Sequence, residues 1–280
     1  MSRSHTAVSM VLWLFVASMW PGLGCDKGPT VVSIRQSGVY QDPQKLAQAQ
    51  ALPVAAKYLA GVGLAYQRNP SFCGPTTVIN VLRSTGDARV GADNVFEGTT
   101  FHWWNAILGM PLDRLAELMR QRTGYRVTVL RDLSVSDFRQ HLRQLNTPNV
   151  RYAINFHRGP LFGSGHGHHS PLGAYLESED LVLVLDVNRD FRPWLVSAER
   201  LYQAMDTVDS DGNRKRGLLR IELASDAPSS AWRERGGQGP LLWARYKLPT
   251  YEILGALPSS GKKTFTGAGM PATPSFFPTK

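Results

Sequence analysis

Between Cys73 and Leu145 the apolar residues recur at helical spacing, whereas after Asn149 they alternate or run unbroken, a pattern that predicts helices first and strands second. Val78, Val81 and Leu82 share one face of a helix that opens at Cys73, Gly74 and Pro75 and stops at Gly86, a suitable C-cap. Leu112, Leu115, Leu118 and Met119 mark another helix, begun at Pro111 and halted by Thr123 and Gly124. Ser134, Ser136 and Asp137 read as a capping box ahead of Phe138, Leu142 and Leu145. Residues 151–156, 172–175, 181–187 and 218–223 read as strands bounded by Gly, Asp and Pro. The expected fold is α+β, with a cleft between a helical half and a strand half.

The two ends follow other rules. From Thr6 to Cys25 there is no charge; Arg3 precedes the run and Asp26 and Lys27 follow it. This predicts a signal peptide over residues 1–24, and the Pro21-Gly22 break favours cleavage over a spanning anchor. Gly22-Leu23-Gly24-Cys25 is similar to the lipobox of bacterial lipoproteins, with Gly22 where leucine is usual. Acylation of Cys25 and plain secretion are both open, and either gives an exported chain, periplasmic or membrane-anchored. Residues 25–44 form a polar lead-in, with a helix over Pro43–Gln50, the main domain spans residues 45–254, and the Pro-, Gly-, Ser- and Thr-rich residues 255–280 are expected to be a disordered tail.

A chain of 280 residues that is 42% hydrophobic has material for one large or two small domains, which excludes disorder along its whole length. Two cysteines exclude a disulfide framework and a four-cysteine zinc module. The net charge of +9 is scattered, and the densest run is Arg214-Lys215-Arg216. No nucleic-acid partner is expected, and membrane contact is expected only through a lipid on Cys25.

Cys73 is the one thiol besides Cys25. A lone cysteine is usually a small buried hydrophobe, but this one stands where an extended Asn69-Pro70-Ser71-Phe72 segment turns into a helix. A helix N-terminus favours the thiolate, the nucleophile of acyl transfer. Gln67 lies six residues earlier, the spacing at which papain-like enzymes supply a side-chain amide to an oxyanion hole. His166, His168 and His169 crowd into one segment and allow two readings: a zinc, nickel or copper site, or a general base facing the cysteine helix. On a strand, His166 and His168 share a face and His169 points away. Asp186 ends the apolar run Leu181–Leu185 and is either a strand-end turn or the carboxylate that orients a histidine.

Taken together, Gln67, Phe72-Cys73-Gly74, Gly167-His168-His169-Ser170-Pro171 and Leu185-Asp186-Val187-Asn188-Arg189 resemble the phytochelatin synthase family. The resemblance implies a papain-like cysteine protease fold, its helical half carrying the Cys and its antiparallel β half the His and Asp. It makes Cys73 the nucleophile, His168 the base, Asp186 the orienting carboxylate and Gln67 the oxyanion donor. His169 stands where the family commonly has phenylalanine, so it is expected to pack, and His166 receives no role. Residues 204–209 and 214–217 resemble the stretch that binds the γ-glutamyl end of glutathione, with Asp209 for the ammonium and Arg216 for the carboxylate. Arg189 is expected to help hold that loop. Trp103, Trp104, Phe191 and Trp194 are expected in the core or cleft wall.

The activity implied by the resemblance is cleavage of the Cys–Gly bond of glutathione or its conjugates through a γ-glutamylcysteinyl enzyme. Water as acceptor gives γ-Glu-Cys and Gly; a second glutathione gives a phytochelatin. Plant members carry a further cysteine-rich domain, and the short form leans towards hydrolysis. No bound cofactor is expected, and cadmium or zinc would enter as a thiolate complex of the substrate. A homodimer is compatible with the sequence. Two rival readings are an exported His-rich metal-binding lipoprotein without catalysis, and a papain-like peptidase acting on ordinary peptides.

Overall fold

The computed structural model describes residues 31–102, 109–209 and 213–223. The signal segment, Cys25, Trp103, Trp104 and the tail expected from the sequence lie outside the described residues.

Among the described residues a single antiparallel sheet organises the fold. Its strands are β1 (Arg126–Leu130), β2 (Val150–His157), β3 (Gly167–Leu176), β4 (Leu181–Leu185), β5 (Pro193–Ser197) and β6 (Leu218–Glu222). They lie in the order β1-β6-β2-β3-β4-β5. Helices α1 (Pro43–Gln50), α2 (Pro53–Leu59), α3 (Cys73–Ser84) and α4 (Leu112–Thr123) join the core on one face. Helices α5 (Val135–Arg143), α6 (Gly159–Phe162) and α7 (Ala198–Met205) join the core on the other. Covering both faces explains the unbroken apolar run of β4: Leu181, Leu183 and Leu185 enter the first core, and Val182 and Val184 the second.

The α+β class is as expected, but the strict order of helices then strands is not. β1 separates α4 from α5, and α7 follows β5. Both missed strands are at the sheet's edges; β1 buries only Val127 well, and β5 opens with Pro193, which an edge strand tolerates. The strand expected at residues 172–175 begins at Gly167 instead, so His168 and His169 belong to the sheet and His166 lies just before it. Its register shifts between Leu172 and Ala174, where a Cβ on Gly173 would come within 3.0 Å of Leu185.

Two further corrections concern the approaches to the domain. The segment before Cys73 is a 3-10 turn over Pro70–Phe72 rather than extended, because the Asn69 side chain accepts a hydrogen bond from Ser71 N–H at 3.1 Å. The lead-in is also part of the core: Ile34 and Tyr40 are buried, and Tyr40 stacks on Trp194 at 6.2 Å between ring centroids. Among the described residues no helix is long and apolar enough to cross a membrane.

Candidate active site

Cys73 is the first residue of α3 and is buried. The turn around it is tied by the Thr77 hydroxyl, which donates to the Cys73 carbonyl at 2.9 Å, and by Thr76, which donates to the Phe72 carbonyl at 2.8 Å. Burial pushes the thiol up, yet the net direction is down. A hydrogen bond with His168 and its positive charge favour the thiolate, as do backbone hydrogen bonds from His169 and Gly74.

Gln67 reaches this region through two backbone anchors. Asn80 of α3 accepts from Ala65 N–H at 2.8 Å and donates to the Ala65 carbonyl at 3.0 Å. Two residues on, Gln67 N–H donates to the Val187 carbonyl at 2.8 Å, beside Asp186. The segment around Gln67 is thus strung between the cysteine helix and the end of β4. The Oε1 atom of Gln67 is buried without a hydrogen-bond partner.

His168 and Asp186 meet because β3 and β4 are antiparallel neighbours, with the Ser170 hydroxyl accepting from Val187 N–H at 3.4 Å. His168 Nε2 lies 3.0 Å from Asp186 Oδ1, which leaves Nδ1 as the ring nitrogen for Cys73. Burial lowers the His168 pKa, but the Asp186 charge and hydrogen bond outweigh it and the net direction is up. Asp186 has no exposed surface. Burial alone would raise its carboxyl; the charges of His168 and Arg158 and the hydrogen bonds of His168 and Trp194 bring it down to about 2.

Two of those partners were not singled out as site residues. Arg158 Nη2 donates to both Asp186 oxygens, at 2.9 Å each, and Trp194 Nε1 donates to Oδ2 at 2.9 Å. A third donor, Asn188 N–H, reaches Oδ1 at 2.9 Å. A buried carboxylate has more acceptor sites than one histidine can fill, so the need for more donors was readable from Asp186 itself. Trp194 therefore does more than line a wall.

The pair expected to bind substrate is a second buried constellation. Arg216 Nη2 donates to Asp209 Oδ1 at 3.2 Å, Arg216 Nη1 to the Thr207 hydroxyl at 3.0 Å, and Asn155 Nδ2 to Asp209 Oδ2 at 2.8 Å. The two charges thus partner each other. They border a cavity of about 360 Å³ with His157, His166, Gly167, Val208 and Asn213. The Nε atom of Arg216 is buried and has no hydrogen-bond partner. Gly167 leaves room for this side chain, since a Cβ at that position would lie 3.0 Å from the guanidinium. Arg189 is not among the residues bordering this cavity; its guanidinium lies 4.9 Å from the Tyr66 ring centroid, beside Gln67.

The three histidines have separate surroundings rather than a common ligand. His168 faces Asp186, His166 borders the Arg216 cavity, and His169 Nε2 donates to the Met110 carbonyl at 2.7 Å. Burial depresses His169 to about 4, so it packs as a neutral ring. Among the described residues no group of three or more His, Cys, Asp or Glu side chains is arranged to hold a metal ion.

A buried thiol with a lowered pKa, paired to an imidazole that a buried carboxylate orients, is the arrangement that nucleophilic acyl transfer requires. The model of the phytochelatin synthase family matches residues 40–218, more than half of the chain. The chain belongs to the phytochelatin synthase family. It is 29% identical over 180 residues to glutathione gamma-glutamylcysteinyltransferase 3 of Lotus japonicus, covering 58% of this chain and 36% of that protein. It is 27% identical over 172 residues to glutathione gamma-glutamylcysteinyltransferase of Schizosaccharomyces pombe, covering 56% and 41%. The matched region thus spans well under half the length of these curated relatives. Among solved structures, the peptidase domain of Streptococcus ComA aligns with 57% of this chain and 97% of its own, at 13% identity and a TM-score of 0.40.

Proposed function

We propose that this member of the family cleaves the Cys–Gly bond of glutathione by papain-like thiol catalysis. The observation that carries the reading is the Cys73–His168–Asp186 line with the Asp209–Arg216 cavity bordered by Gly167, the residue before His168 on β3. The γ-glutamyl α-carboxylate pairs with Arg216 and the α-ammonium with Asp209, both of which border the cavity.

The Cys73 thiolate attacks the carbonyl of the Cys–Gly peptide, and negative charge gathers on its oxygen. The Gln67 amide and the Cys73 backbone N–H stabilise that oxyanion. As the tetrahedral intermediate collapses, His168 gives the proton on Nδ1 to the leaving glycine nitrogen, and a γ-glutamylcysteinyl thioester remains on Cys73. His168, now neutral, takes a proton from the acceptor. Water yields γ-Glu-Cys as the main flux, and the α-amine of a second glutathione yields a phytochelatin as the lesser one.

No resident cofactor is part of this reading: cadmium or zinc enters with the substrate thiols. The uncharged run from Thr6 to Cys25 supports export, by plain secretion or with a lipid on Cys25. The test is to incubate the reduced full chain with glutathione, with and without cadmium, beside Cys73→Ala. Glycine with γ-Glu-Cys or longer γ-Glu-Cys polymers, absent from the variant, supports the proposal; no glycine release from the intact enzyme refutes it.

A further inference from the structure

The donors around Asp186 are unequal. Trp194 and Asn188 bring neutral N–H groups, whereas Arg158 brings a full charge with 7% of the residue exposed. Its guanidinium is held by aromatic rings, the Cζ atom 3.8 Å from the centroid of Phe191, 5.5 Å from Phe162 and 5.6 Å from Phe156. Arg35 approaches the same Phe191 ring at 4.4 Å. The lead-in completes the clamp, since Gln41 Nε2 donates to the Phe191 carbonyl at 3.0 Å and Leu195 N–H donates to the Tyr40 carbonyl at 2.9 Å. Such a clamp around a guanidinium that bridges both oxygens of one carboxylate is more than a surface ion pair, and a buried pair of this kind acts on whatever third group shares the carboxylate.

We propose that Arg158 is a positioning residue of this site: its guanidinium fixes Asp186 and neutralises it, so His168 is oriented by an ion pair of no net charge rather than by a bare carboxylate. The third member then behaves as a polar acceptor that sets the ring's direction without binding its proton too tightly. A histidine beside an uncompensated buried carboxylate would hold its proton to higher pH and give it up less readily to the leaving amine. The inference rests on the catalytic reading above and concerns how that reading's base is tuned.

The charged and titratable groups around His168 are Cys73 on α3, Asp186 after β4 and His169 on its own strand. Those around Asp186 are His168, Arg158 and, from the lead-in, Tyr40, with Arg35 beyond the Phe191 ring. Of these, Arg158 is the cation whose removal leaves Asp186 bare. Arg158→Met therefore raises the pH at which the imidazolium loses its proton, by about one unit. Arg158→Lys restores a positive charge and returns the limb most of the way.

The experiment reads the alkylation of Cys73 by iodoacetate against pH in the full chain, using the mass of the Cys73 peptide and no substrate. The anionic reagent is drawn by the imidazolium, so its rate falls where His168 deprotonates. Circular dichroism checks that each variant is folded. An alkaline limb moved upward in Arg158→Met and rescued in Arg158→Lys is the expected result. If Arg158→Met does not fold, Phe191→Leu, which frees the guanidinium from its ring, moves the limb the same way by a smaller amount. A folded Arg158→Met or Phe191→Leu whose limb stays at the wild-type pH overturns the proposal. If wild-type Cys73 shows only the rise of an ordinary thiol, the catalytic reading itself has failed.

Discussion

Two charged constellations adjoin on β3, and they are built on opposite rules. Around Asp186 the carboxylate is closed off, with His168, Arg158, Trp194 and Asn188 engaging both oxygens. Around Arg216 the guanidinium is buried as well and, like Arg158, keeps one nitrogen without a partner, but it borders a cavity of about 360 Å³. The first is fixed before any ligand arrives, as electrostatic preorganisation requires. The second borders space that a ligand can fill. The carboxylate that orients is fully engaged within the protein, whereas the pair that binds lies beside open space.

The largest effect should come from the closed constellation. Cys73→Ala removes the nucleophile, and glycine release should fall by about 10⁴-fold or more, read by mass spectrometry. Asp186→Asn keeps the shape but abolishes the charge that holds Arg158 and orients His168. Its kcat/KM should drop by about 10²- to 10⁴-fold and its stability by about 3 kcal/mol, read from steady-state rates and the urea midpoint. Near-normal rates in Asp186→Asn would break the comparison, because the closed group would then be structural.

A smaller effect is expected from the open constellation, and of a different kind. Arg216→Met should raise KM for glutathione by about 30-fold or more while Cys73 alkylation keeps its wild-type pH profile. If the alkylation profile moves as well, the two constellations are one unit and their separation fails.

The remaining effects are on stability alone and leave the chemistry at neutral pH untouched. Asp186 titrates at about 2 when folded against an ordinary 3.8, so its contribution, about 2 kcal/mol, is complete above the ordinary value and is lost as pH falls through 2. His169 has the opposite charge type. Its folded pKa of about 4 lies below the ordinary 6.5, so between those values the unfolded ring binds the proton and stability falls as pH drops. Urea titrations should show about 3 kcal/mol of loss across that window, and His169→Phe should flatten it. A window that persists in His169→Phe would assign it to another group.

Much of this site was legible in the chain because its parts carry local signals. Cys73 stands at a helix start, His168 lies in a Gly-His-His-Ser-Pro strand, and Asp186 ends an apolar strand that has no other use for a charge. Arg158 was not legible, since its partner is 28 residues away and the contact depends on β2, β3 and β4 lying side by side. An exposed loop arginine would read the same. The pairing of Asp209 with Arg216 was hidden for a related reason: each was assigned to a substrate charge, and only the fold brings them to 3.2 Å of one another. β1 went unread because it buries only Val127 well and so leaves a weak apolar pattern, and β5 because its buried run, Trp194 to Val196, is short and follows Pro193.

The most direct test of the central claim is to quench the reduced enzyme in acid within its first turnovers on glutathione and weigh the Cys73 peptide. The account predicts a γ-glutamylcysteinyl group on Cys73, removed by hydroxylamine as a thioester is, with one glycine released for each group bound. An unmodified Cys73 peptide with no glycine released would contradict it.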